Sequence, residues 1–95
     1  MKIPNKFRLM GHTYVVEKIA PTKWRYQEAI GAFVPASQKI MLKKQAKTMY
    51  EHTFLHELTH AVLHSMDHPL YEDEAFVDTF SGLLHQALTS EKECQ

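Results

Sequence analysis

The sequence predicts one small α+β domain, with an antiparallel sheet of three to four strands in its first half and two helices in its second. Three observations predict it. Short β-prone runs alternate with turn signals as far as Leu42. From Phe54 onward, apolar residues recur at helical spacing instead. The 95 residues are 44% hydrophobic, which supplies one modest core and no second domain.

Lys6–Met10 and Thr13–Ile19 read as two strands joined around Gly11-His12, a hairpin signal. Pro21 then interrupts, and Trp24-Arg25-Tyr26 offers a possible further strand. Ala29–Val34 and Gln38–Leu42 flank Pro35-Ala36-Ser37, a turn between two more short strands. The first helix opens at a capping box, with Thr48 as N-cap and Glu51 reaching back to it. Its buried face is expected to carry Phe54, Leu55, Leu58, Ala61, Val62 and Met66. The second helix is expected near Tyr71, just past Pro69, with Glu72, Asp73 and Glu74 at its positive end. Phe76, Phe80, Leu83, Leu84, Ala87 and Leu88 form its apolar stripe, and Glu74, Asp78, Ser81 and His85 a polar stripe beside it. Residues 91–95 read as a frayed tail.

Composition narrows the function. Lys plus Arg equals Asp plus Glu at 11 each, so no net field recruits nucleic acid or an anionic membrane. Apolar runs fall far short of a membrane span, and Met1-Lys2-Ile3-Pro4 has no signal-peptide core, so a cytoplasmic protein is expected. The lone Cys94 excludes a disulfide framework and a cysteine-based metal site. Histidine is the anomaly: five of the seven lie between positions 52 and 68.

Two of those histidines belong to His56-Glu57-Leu58-Thr59-His60. On a helix, positions four apart share a face with Cβ atoms roughly 5–6 Å apart, so both imidazoles can point at one small ion. Glu57 is rotated off that axis, which suits a base beside a metal-bound water rather than a ligand. A second carboxylate can join from Glu74-Ala75-Phe76-Val77-Asp78. From His60 to Met66 the chain advances roughly 9 Å along the helix. Residues 67–73 can span up to about 23 Å when extended, so the return is easily covered. The two helices can then pack as a hairpin, with Glu74 opposite the histidines. Two imidazoles and one carboxylate make a His2Glu set, the arrangement that leaves zinc's fourth position open.

His56-Glu57-x-x-His60 with a downstream Glu-Ala-x-x-Asp resembles the gluzincin metallopeptidases, the group that includes thermolysin. The resemblance implies Glu74 as the third zinc ligand and Asp78 as the carboxylate that orients His56. Holding the far N–H of a metal-bound imidazole fixes its tautomer, so an acceptor is needed there. Upstream, residues 31–40 resemble the edge strand, turn and strand that precede the active-site helix in thermolysin-type enzymes. That likeness implies substrate binding along the backbone of Ala32 and Phe33. In size and order the chain is most similar to compact ImmA/IrrE-like peptidases of bacteria and mobile elements, including minimal phage-encoded forms, over residues 30 to 89. A zincin-like minimal domain is the implied fold. Thr59 stands where that family often has glycine, and no ligand is lost by the difference. Leu63 and Met66 depart from the metzincin pattern, and no cysteine precedes His56 as a deformylase would need.

The expected activity is therefore zinc-assisted peptide hydrolysis, with one Zn2+ per chain, Glu57 as general base and a peptide or protein substrate. Tyr71 and His68 are candidate donors to the developing oxyanion. His52 and His64 continue the four-residue spacing but drift about 40° per step around the helix, away from a common point. Two alternatives stay open: a zinc-dependent regulatory or adaptor domain without turnover, and a metal-independent interaction module. Substrate specificity and oligomeric state are not written in the sequence.

Overall fold

The computed structural model describes residues 1–26 and 28–90. The expected frayed tail at 91–95, with Cys94, lies outside the described residues. Strands β1 (Lys6–Leu9), β2 (His12–Ile19), β3 (Gly31–Val34) and β4 (Lys39–Lys43) precede helices α1 (Lys47–Ser65) and α2 (Glu74–Thr89). The class is α+β, as the sequence predicts.

The sheet differs from expectation in one respect. Its order is β1-β2-β4-β3, and the central pair β2–β4 runs parallel. Both hairpins are antiparallel as expected, but they join through β4 rather than β3. Burial explains the choice: Ile40 and Leu42 of β4 are fully buried, so this strand takes an interior position. Residues 20–30 provide the crossover, and β3 is left at the edge. Trp24–Tyr26 form no strand there. Instead the Trp24 indole N–H is shared between the carbonyls of Tyr26 and Ala29, both at 2.8 Å, and closes the segment into a loop.

The β1–β2 turn is centred one residue earlier than Gly11-His12. Met10 and Gly11 have φ of 52° and 80°, the two left-handed positions of a type I′ hairpin, with Leu9 paired to His12. Val16, Ile40, Leu42, Phe54 and Leu55 form the core, with Phe7, Phe33 and Leu84 among the partly buried residues packed on it.

Helix α1 starts at Lys47 with Ala46 at the N-cap and no side-chain cap, so the Thr48–Glu51 capping box does not form. Glu51 is buried and receives His85 Nε2 at 3.1 Å and the Met1 amine at 3.3 Å. The helix ends in a Schellman turn: Asp67 adopts φ 50°, its N–H bonds the His64 carbonyl, and the His68 N–H bonds that of Leu63. Helix α2 begins at Glu74, three residues later than expected. Asp73 is its N-cap, with Oδ1 accepting from the Phe76 N–H at 3.0 Å.

The apolar stripe of α2 is largely left outside the core. Its inward side chains are Val77 and Ser81, both fully buried, with Leu84 and His85 half-buried. Phe80, Leu83 and Leu88 of the expected apolar stripe are exposed, and the stacked pair Phe76–Phe80 lies on that outer side. On α1 the far end of the expected face is also exposed, at Val62 and Met66. Among the described residues no helix is long and apolar enough to cross a membrane.

Candidate metal centre

Three elements meet at the site. The middle of α1 supplies His56, Glu57 and His60, the first turn of α2 supplies Glu74 and Asp78, and the edge strand β3 forms the opposite bank. The turn after α1 returns the chain so that the first turn of α2 lies beside the middle of α1.

One ligand atom from each of His56, His60 and Glu74 can be drawn from a group lying within 4.8 Å of one another. His56 Nε2 is 3.1 Å from Glu74 Oε2, and His60 Nε2 is 3.0 Å from Oε1 of the same carboxylate. The far ring nitrogens are both engaged. His56 Nδ1 lies 2.8 Å from Asp78 Oδ1, and His60 Nδ1 lies 2.8 Å from the backbone oxygen of Tyr71. A carbonyl oxygen only accepts, so His60 Nδ1 must donate. In the neutral imidazole Nε2 is then an acceptor, and it faces a carboxylate oxygen that is also an acceptor. The same holds at His56 when Asp78 is ionised. Acceptor facing acceptor at about 3 Å is repulsive unless a cation or proton lies between them. A divalent cation satisfies both pairs at once. In a tetrahedral site with ligand bonds of about 2.0–2.1 Å, neighbouring donor atoms lie roughly 3.3 Å apart, close to the spacing seen here. The donor set can hold a divalent metal ion and is not specific to one.

Glu57 takes a different position. It is 8% exposed, has the Phe33 backbone N–H as a hydrogen-bond donor, and lines both cavities at the ligand group. Burial pushes its carboxyl pKa up, with the Glu74 carboxylate adding to the rise, and the neighbouring imidazoles and the Phe33 backbone N–H oppose it in part. A raised value suits a group that must take and return a proton.

Its neighbour across the cleft is Gly31. A Cβ there would lie 2.5 Å from Thr53 Cγ2 and 3.2 Å from Glu57 Oε2, so only glycine lets β3 press this closely on α1. The Lys43 N–H bonds the Ile30 carbonyl, which fixes the parity of the strand. Ile30, Ala32 and Val34 turn their backbone groups to β4, while Gly31 and Phe33 turn theirs to the free edge. Of the two residues expected to bind substrate through their backbones, Phe33 has free-edge groups and Ala32 is committed to the ladder. Ala32 still lines the smaller cavity.

Tyr71 stands at that cavity with its ring against His60, His64 and Phe33. Burial and the nearby Glu72 and Glu57 carboxylates hold its phenol pKa above the ordinary value, so it stays a protonated donor. His68 lies outside both cavities, its Nδ1 accepting from the Leu70 N–H. His52 lines the larger cavity and stacks on His85, while His64 packs on Phe33 and Tyr71. Sequence reading missed Gly31 and the Tyr71 carbonyl. A glycine inside a strand was the only signal for the first. A backbone acceptor leaves no signal at all.

No protein-family model, curated protein or solved structure matches this chain.

Proposed function

We propose that the chain is a zinc-dependent metallopeptidase of the gluzincin type, cleaving polypeptides in the cytoplasm. The observation that carries this reading is the facing set of acceptors: each Nε2 lies about 3 Å from an oxygen of the Glu74 carboxylate, and Glu57 lies buried beside them. A purely structural site has no use for such a base.

His56, His60 and Glu74 would hold the ion, which when bound acidifies water and polarises a carbonyl as a Lewis acid. Asp78 and the Tyr71 carbonyl keep the two imidazoles in the tautomer that presents Nε2. Glu57 takes the proton of the attacking water and later delivers it to the leaving amine. The free edge of β3 at Gly31 and Phe33 offers backbone groups to an extended substrate. The Tyr71 phenol, at the mouth of the smaller cavity, donates to the oxyanion.

The test is Glu57→Gln in zinc-loaded protein, with a mixture of unfolded proteins as substrate and new termini read by mass spectrometry. Zinc stoichiometry and fold should survive, and hydrolysis should fall by roughly 10²–10⁴-fold. Equal cleavage by both proteins excludes Glu57 as the base. No cleavage by either, at full zinc occupancy, favours the adaptor reading.

A further inference from the structure

The cleft has a charge that the whole chain does not. Formal net charge is zero, with 11 basic and 11 acidic residues. Two cavities, of about 490 and 370 Å³, meet at the ligand group, and Glu57, His60 and Glu74 line both. Neither has a Lys or Arg in its lining. The larger adds Glu28 and Asp78, the smaller adds Glu72. Glu57, Glu74 and Asp78 are already accounted for by the metal chemistry. Glu28 and Glu72 have no such role and stand on opposite sides of it.

Glu28 is exposed, and the backbone on either side of it is tied by hydrogen bonds. It sits in the loop closed by the Trp24 indole, with the Ala29 N–H also bonded to the Tyr26 carbonyl at 3.1 Å. The Gln45 side-chain amide braces the loop's exit at the Ile30 carbonyl. Glu72 directly follows Tyr71, whose carbonyl is pinned by His60.

Strand polarity relates these two carboxylates to a substrate. β3 runs from the Glu28 side toward the Tyr71–Glu72 side. A strand added to its free edge in the more stable antiparallel sense runs the opposite way. Its N-terminal portion then lies by Glu72 and its C-terminal portion by Glu28, with the scissile bond at the ligand group between them.

We infer that this cleft selects a basic segment of extended polypeptide, Glu28 recognising a Lys or Arg after the scissile bond and Glu72 one before it. The inference rests on the metallopeptidase reading for the position of the bond, and on the cavity linings alone for the preference. Each exposed carboxylate contributes a modest increment, so a single neutralisation should weaken the preference by roughly three- to tenfold at its own side.

Two readouts separate the inference from its premise. The first is binding, followed by NMR titration of zinc-loaded Glu57→Gln protein with blocked alanine hexapeptides carrying Lys, Gln or Glu at their second and fifth positions. Lys peptides should bind most tightly and Glu peptides least, and Glu28→Gln with Glu72→Gln should level the series. Equal binding of all three peptides overturns the inference. The second is cleavage of a peptide library by the wild type, with termini sequenced. Lys and Arg should be enriched on both sides of the bond, on the C-terminal side only in Glu72→Gln and on the N-terminal side only in Glu28→Gln. Cleavage without that enrichment overturns the inference and leaves the peptidase standing. A Lys preference in binding with no cleavage by the wild type does the reverse, upholding the basic-segment site and removing the peptidase.

Discussion

Helices α1 and α2 bury different kinds of face. On α1 the sheet side carries Phe54 and Ala61 at 3% and 0% exposure, and Glu57 and His60 share the helix with them as buried polar residues. On α2 the side turned to the rest of the molecule carries Glu74, Val77, Asp78, Ser81 and His85, while Phe80, Leu83 and Leu88 look outward. Hydrophobic burial orients α1. On α2, polar pairing to α1 through Glu74 and Asp78 near one end and His85 on Glu51 near the other acts together with burial of Val77 and Leu84. An amphipathic pattern therefore identifies a helix without fixing which side of it is inside, when the inward side must furnish ligands.

The strongest way to break this comparison is to put a charge on each face of α2 in turn. Val77→Asp buries an unpaired carboxylate at a fully buried position and should destabilise by about 3 kcal/mol or more. Leu83→Asp, at a position 62% exposed, should stay within about 0.5–1 kcal/mol. Urea unfolding of the two variants reads both values. Comparable losses would mean that the outer stripe is covered in solution and that the two helices do not differ as described.

Metal removal sharpens the comparison next. Zinc at 100 times its dissociation constant should stabilise the fold by about 2.7 kcal/mol through mass action. Because the ligand set spans α1 and α2, chelation should lower the melting temperature and deprotect amides of Glu74–Ser81 in hydrogen exchange. Amides of Phe54–Ala61, held by the core, should change less. Uniform loss of protection across both helices would contradict the assignment of polar pairing to α2 alone.

These differences also mark what the sequence could and could not say. Both helices, both hairpins and the approach of Glu74 to His56 and His60 were legible from local spacing and chain reach, whereas Asp78 behind His56 was an implication of the family resemblance. The parallel β2–β4 pair was not, since it depends on which hairpin strand wins the interior, a competition among distant residues. The exposure of Phe80, Leu83 and Leu88 was not legible, because an amphipathic stripe is ordinarily read as the buried side and the ionic demands of a site do not show in it. The Trp24 loop resembled a strand in composition, and its fold depends on a single indole N–H shared by two carbonyls.

A milder perturbation removes one polar contact and keeps the rest. Asp78→Asn leaves the ligands in place but replaces the carboxylate that accepts from His56 Nδ1. Zinc affinity should fall by about 10–100-fold, corresponding to about 1.4–2.7 kcal/mol. Competition with a chromogenic chelator measures it. Unchanged affinity would reduce Asp78 to a solvated surface carboxylate and leave Glu74 as the sole tie between α2's first turn and the histidines.

The smallest expected effect concerns the other end of the helix pair, where Glu51 accepts from His85 instead of capping α1. The His85 hydrogen bond, with help from the Met1 amine, holds the Glu51 carboxyl below its usual value of 4.5, against the opposing push of burial. A depressed carboxyl binds protons less readily in the folded chain than in the unfolded one. Its contribution is therefore complete above the unfolded value and drains away as pH falls through that value toward the folded one. Melting temperatures of metal-free wild type should drop more steeply on acidification from about pH 6 to about pH 3 than those of Glu51→Gln, which has no carboxylate to protonate. Metal-free protein is needed because metal affinity is itself pH-dependent. Parallel curves for the two proteins would show that the Glu51–His85 contact does not tie α2 to α1, and that the helix is held from its N-terminal end alone.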